Sequence, residues 1–112
     1  MSAKAQTWLW LAQRASAAVL AVCVAVHLIT MVYAVRGGLT AAEILGRTRG
    51  SSGWLAFYLV FVFAVSIHAP IGLRPILSEW LRWRGPSRDA FLAALAIFFL
   101  WIGLRAALAV FA

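Results

Sequence analysis

Residues 54–81 read WLAFYLVFVFAVSIHAPIGLRPILSEWL, and the reading of this stretch decides the fold. From Trp54 to Ile67 it is apolar apart from the Tyr58 hydroxyl and Ser66. As a helix, 28 residues extend about 42 Å at 1.5 Å each. That exceeds the roughly 30 Å of bilayer hydrocarbon. Two further runs behave alike: Trp8 to Val35, broken early by Gln13 and Arg14, and about Asp89 to Ala112. All three are expected to be α-helices, because lipid leaves open backbone groups unsatisfied. The fold class is therefore an all-α membrane protein with three transmembrane helices, residues 1–112 forming one membrane-anchor domain.

Composition excludes the alternatives. The chain is 65% hydrophobic and 12% charged, with a mean hydropathy of +0.96. A soluble domain carries about 45–50% apolar and about 25% charged residues. A disordered tail needs low hydrophobicity. The net charge of +7 would suggest nucleic acid in a soluble protein. Here the basic residues sit at the ends of apolar runs, where they meet headgroups, so no nucleic acid is expected as a partner. The lone cysteine, Cys23, permits no intrachain disulfide and reads as a small packing residue.

The connections carry turn chemistry. Gly37-Gly38 ends the first span, and Thr40-Ala41-Ala42-Glu43 is a capping box. It predicts a short surface helix over about 41–45, ended by Gly46 and Gly50-Ser51-Ser52-Gly53. Gly85-Pro86-Ser87 reads as a turn, with Ser87 as N-cap of the third span. The first span superficially resembles a signal peptide, with Lys4 before it and Val32-Tyr33-Ala34 as a cleavage site. Its length, Arg14 and His27 favour a retained helix. Lys4, Arg14, Arg82, Arg84 and Arg88 fall on one side of the membrane; Arg36, Arg47, Arg49 and Arg105 fall on or toward the other. This bias predicts a cytoplasmic N-terminus and a periplasmic C-terminus. Trp8, Trp10, Trp80 and Trp83 form an aromatic belt on the first side and Trp54 marks the second. Trp101 falls near mid-span, unexplained by a belt.

The chain has two histidines, His27 on the first span and His68 on the second. Ionisable residues inside a membrane are costly and usually functional. Two imidazoles on facing helices suit haem iron. The plainer reading is a hydrogen bond to a neighbouring helix. Depth estimates place His68 near the midplane and His27 about 8 Å toward the outside, or both about 20 Å from the cytoplasmic border. Both residues on one haem, or two haems completed by a partner subunit, remain open from the sequence. Gln13, Ser16, Leu20, Cys23, His27 and Met31 share one stripe of the first helix. His68 shares a face with Ala64, Gly72, Pro75 and Glu79. Pro70 and Pro75 should bend the second helix and free the carbonyls of Ser66 and Ile71. Arg74 either pairs with a haem propionate or snorkels to headgroups.

Two motifs here resemble a known family, the haem b membrane-anchor subunits of succinate dehydrogenase and fumarate reductase. Gln13-Arg14-Ala15-Ser16-Ala17 is similar to the family's His-Arg-x-Ser-Gly on the first helix. His68-Ala69-Pro70-Ile71-Gly72-Leu73-Arg74-Pro75-Ile76-Leu77-Ser78-Glu79 is similar to its His-x3-Gly-x-Arg-His-x3-Asp on the second. The resemblance implies that His68 is an axial haem ligand and so a metal ligand. Di-haem members carry a His at the place of His27, about fourteen residues after a Gln, which implies a second iron ligand there. Gln13, Ala17, Pro75 and Glu79 depart from the family pattern, and Trp10 stands where single-haem members often carry Ser.

The resemblance further implies one or two haem b groups shared with a second small membrane-anchor subunit, an iron–sulfur subunit, a flavoprotein subunit, and a quinone as substrate. It implies a role in electron transport and the tricarboxylic acid cycle, in a bacterial cytoplasmic (inner) membrane. Arg14 is placed at the quinone, where a cation stabilises reduced anionic forms, with Ser16 and Gln13 as hydrogen-bonding partners. The plainer reading of Arg14 is an anchor for the helix end. No catalytic residue for the dicarboxylate is expected, because the chain has no flavin or dinucleotide fingerprint and no cysteine cluster. Two other readings stand beside this one: a cytochrome b anchor of a hydrogenase or formate dehydrogenase, and a non-redox small helical membrane protein.

Overall fold

The computed structural model describes residues 2–112. Four helices follow in order: α1 (Ala3–Gly37), α2 (Ala41–Thr48), α3 (Ser52–Trp80) and α4 (Pro86–Phe111). No strand occurs among the described residues. α1, α3 and α4 are each long and apolar enough to cross a membrane, as their hydropathy predicts.

The ends of the helices differ from the expected bounds for identifiable reasons. α1 starts before Trp8 because Ser2 caps it, its Oγ accepting from the Ala5 N–H at 3.1 Å. α2 runs to Thr48, past the expected stop at Gly46, which lies inside the helix. A glycine ends a helix when it takes a left-handed conformation, and here that role falls later, to Gly50 at φ +71°. Ser87 is not the N-cap of α4. Gly85 holds that position and Pro86 opens the helix, its fixed φ being already helical. The Ser87 Oγ instead accepts from Trp83 Nε1 at 2.8 Å.

The capping box of α2 forms as expected. The Thr40 N–H donates to Glu43 Oε2 at 3.0 Å, and the Glu43 N–H donates to Thr40 Oγ1 at 3.2 Å. The Thr40 backbone and side-chain bonds, helped by Arg47, hold the Glu43 carboxyl below its usual range. Gly38 is required beside it. Its φ is +114°, and a Cβ there would overlap the Glu43 carboxylate.

Both α1 and α4 pack on α3. Gly103 brings α4 so close to α3 that a Cβ would stand 2.6 Å from a Val62 methyl. Ala107, one turn on, is 3% exposed. Such small-xxx-small spacing allows helices to approach without a hydrophobic driving force. On α1 the buried residues are Ser16, Cys23 and Ala34, again small. Pro70 and Pro75 both lie within α3, where each removes one backbone bond.

No large side chain is fully buried among the described residues, while Val22 is 65% and Ile97 68% exposed. Two packed seams therefore leave broad apolar faces for lipid and other helices. Trp101 is not isolated at mid-span. The Arg105 guanidinium lies 5.2 Å from its ring centroid, a cation–π contact that shields the charge.

Candidate functional site

Gln13, Ser16, His27 and His68 lie on the α1–α3 seam. α1 supplies Gln13, Ser16 and His27 at spacings that keep them on one side of the helix. α3 runs antiparallel, so Tyr58 and Phe61 meet His27 while His68 meets Ser16.

His68 is half-buried, and its Nδ1 lies 3.3 Å from the Ser16 Oγ. The same hydroxyl donates to the Gln13 carbonyl at 3.1 Å. Ser16 is only 6% exposed. An apolar groove of about 430 Å³ runs past Ser16, lined by Ala12, Ala15, Ala64 and Ile67 among others. One turn from His68, Gly72 faces the Gln13 side chain. The Gln13 Oε1 is buried without a hydrogen-bond partner. A buried acceptor left open costs about 1–3 kcal/mol unless something donates to it.

His27 has a different setting. Its ring is packed edge-on against Tyr58 and Phe61, with centroids 6.1 and 5.8 Å away. Its Nδ1 is buried with no hydrogen-bond partner. The two histidines also lie at different depths. His68 stands beside Ser16, eleven residues before His27 on α1. At 1.5 Å per residue the offset is about 16 Å. Opposed ligands of one iron lie only a few ångströms apart, so His27 and His68 cannot both bind the same iron in this arrangement. Among the described residues no group of three or more potential metal ligands occurs, and each imidazole stands by itself.

Arg14 is not brought together with Gln13 and Ser16. It sits on the exposed side of α1, its guanidinium 5.5 Å from the Trp10 ring centroid. Arg74 lies at the same end of the bundle, with Nη2 3.7 Å from Asp89 Oδ1. Asp89 is also held by Arg88 at 2.9 Å. Arg74 and Asp89 border a cleft of about 320 Å³ with Leu9, Pro70, Ile71 and Leu92. Sequence reasoning missed the Arg74–Asp89 pair, and the aromatic pocket around His27. The signal for the second was present: Tyr58, Phe61 and His68 share a face of α3, the face that meets the His27 stripe.

A family model for the transmembrane subunit of succinate dehydrogenase/fumarate reductase matches residues 1–104. No curated protein and no solved structure matches the chain.

Proposed function

The chain belongs to the succinate dehydrogenase/fumarate reductase transmembrane subunit family, and from that premise we propose that it is a haem b-binding anchor of a succinate:quinone oxidoreductase. In this reading residues 1–112 act as one membrane-anchor domain. They dock the iron–sulfur and flavoprotein subunits and help form the quinone site. A second small membrane subunit completes the bundle, and its need is supported by the apolar faces that the two seams leave open.

The observation that carries the reading is His68, a half-buried imidazole mid-way along an apolar helix, on the seam with α1 and inside the family match. The residues present fit a haem. Each imidazole lies within an apolar span, and the His27 Nδ1 is a buried polar atom without a hydrogen-bond partner. Small side chains at Ala12, Ala15 and Ala64 border an apolar groove that Ser16 also lines. The depth offset favours two haems, which His68 and His27 would each help to hold, the partner subunit completing both sites. Haem b supplies one-electron transfer between the soluble subunits and the membrane pool. With haem bound, His68 and His27 would hold the iron, and Arg74, near one end, would balance a propionate or keep its Asp89 pair.

Gln13 and Arg14 serve the quinone site in this reading. Gln13 offers an unfilled acceptor for a quinol hydroxyl. Arg14, on the outer side of α1, meets a quinone held between this chain and its partner, and Ser16 lies one turn deeper. The excess of arginine at the Arg14 end supports a cytoplasmic N-terminus and a periplasmic C-terminus in a bacterial inner membrane. The test is a dithionite-minus-oxidised spectrum of the intact complex, purified with its companion subunits, with a pyridine haemochrome assay. A b-type spectrum with one or two haems per chain is expected; a colourless complex overturns the reading.

A further inference from the structure

The geometry points to Ser16 as the positioning residue that sets the tautomer and electron-donating strength of His68. This rests on the haem reading above and goes beyond it, since that reading placed Ser16 only near the quinone.

The argument is proton accounting. A serine hydroxyl has one proton and two acceptor lone pairs. The Ser16 proton goes to the Gln13 carbonyl, at 3.1 Å. Toward His68 Nδ1, at 3.3 Å, the Ser16 oxygen has only lone pairs left to offer. That arrangement is compatible with the tautomer that carries its proton on Nδ1 and donates it to the Ser16 oxygen. A neutral imidazole has one N–H, so the Nε2 lone pair is left free and fixed in direction. That is the form that binds iron. A hydrogen bond from the distal N–H of a metal-bound imidazole also raises its basicity, and such bonds hold ring orientation. Burial of Ser16, at 6% exposure, keeps water from competing for the bond. His27 lacks this device, its Nδ1 having no partner. The chain thus contains two unequal imidazoles, and only His68 has a hydroxyl of the chain at its Nδ1. A more basic ligand favours ferric over ferrous iron, so the His68 haem is held at a lower potential than it would have without Ser16.

The experiment is a redox titration with EPR on the intact complex, comparing wild type with Ser16→Ala, Ser16→Thr and Ser16→Cys. Loss of the bond is expected to raise the midpoint potential, by about 59 mV for each tenfold loss of ferric preference. The shift and an altered low-spin g value should appear in Ser16→Ala for the haem that His68→Ala removes, with any other haem unmoved. Ser16→Thr should restore both. If Ser16→Ala does not assemble, Ser16→Cys gives the answer, its weaker sulfur acceptor shifting the potential the same way by less. An unmoved potential and g value overturn the Ser16 role, as does a shift that threonine does not reverse or that every haem shares. A wild-type complex without haem b overturns the underlying reading instead, so the two failures are told apart.

Discussion

Gln13 and Gly72 meet across the α1–α3 seam with almost no clearance: a Cβ on Gly72 would stand 3.0 Å from the Gln13 Nε2. Glycine costs about 1 kcal/mol against alanine inside a helix, so this position gives up helix stability for close approach. Gly72→Ala should shift the flexible Gln13 side chain and leave global stability within about 1 kcal/mol. Gly72→Val should force the helices apart and cost about 1–3 kcal/mol. Thermal melting of the purified complex checks both; equal melting of Val and Ala variants would contradict the close contact.

The depth offset between His27 and His68 predicts independent losses. His27→Ala should remove one spectral haem component and leave the component that depends on His68; His68→Ala should do the reverse. Redox-resolved visible spectra of the two variants read this directly. Loss of all haem in both variants would mean that the sites are interdependent.

Arg14 should matter to quinone more than to electron transfer at large. Its exposed place on α1, over Trp10, leaves it outside the Ser16–His68 contact. Arg14→Ala is expected to slow succinate-to-quinone turnover about tenfold or more, in line with removal of one electrostatic stabiliser. Succinate-to-dye turnover should stay close to wild type. Equal loss of both activities would assign Arg14 to assembly.

The α3–α4 seam has less slack than the α1 seam. At Gly103 a Cβ would lie 2.6 Å from Val62, so Gly103→Ala should cost about 1–3 kcal/mol by overpacking. Val62→Ala in the same chain should recover part of that loss. Melting temperatures of the single and double variants test the pairing.

The α2 cap gives a pH dependence. Glu43 has its carboxyl lowered by the Thr40 bonds, so its folded value lies below its unfolded one. The stabilisation is therefore full above about pH 4.3, the ordinary unfolded value, and is lost as pH falls through the lower folded value. Protection of the amides across residues 40–48, corrected for the intrinsic exchange rate, should fall at acid pH more than protection in the spans. Thr40→Ala should lower that protection even at neutral pH, by about 0.5–2 kcal/mol of cap stability.

Much of the architecture could be read from the residues because lipid leaves few choices. Runs as apolar as Trp54–Ile67 must be helices, and Thr40 with Glu43 names the cap of α2 by local chemistry alone. The ends were less readable. Ser87 has the right side chain for a cap, but Pro86 opens α4 without one, and the Ser87 hydroxyl serves Trp83 instead. The site was readable as two separate stripes, one on each helix. Their register was not, because it depends on how α1 slides against α3. Only the packed pair reveals that Ser16 sits opposite His68 and that His27 sits against Tyr58 and Phe61.

Because α3 is the helix against which both α1 and α4 pack, the order of synthesis acquires a meaning. α1 emerges before α3, carrying Gln13, Ser16 and His27 into the bilayer ahead of the helix they pack against. Translation runs at about 5–20 residues per second, so several seconds pass before α3 follows. During that interval the polar stripe of α1 lacks its α3 partner and is open to insertase, chaperone or a waiting subunit. The histidine on α3 is thus also the arrival that ends the vulnerability of the first helix.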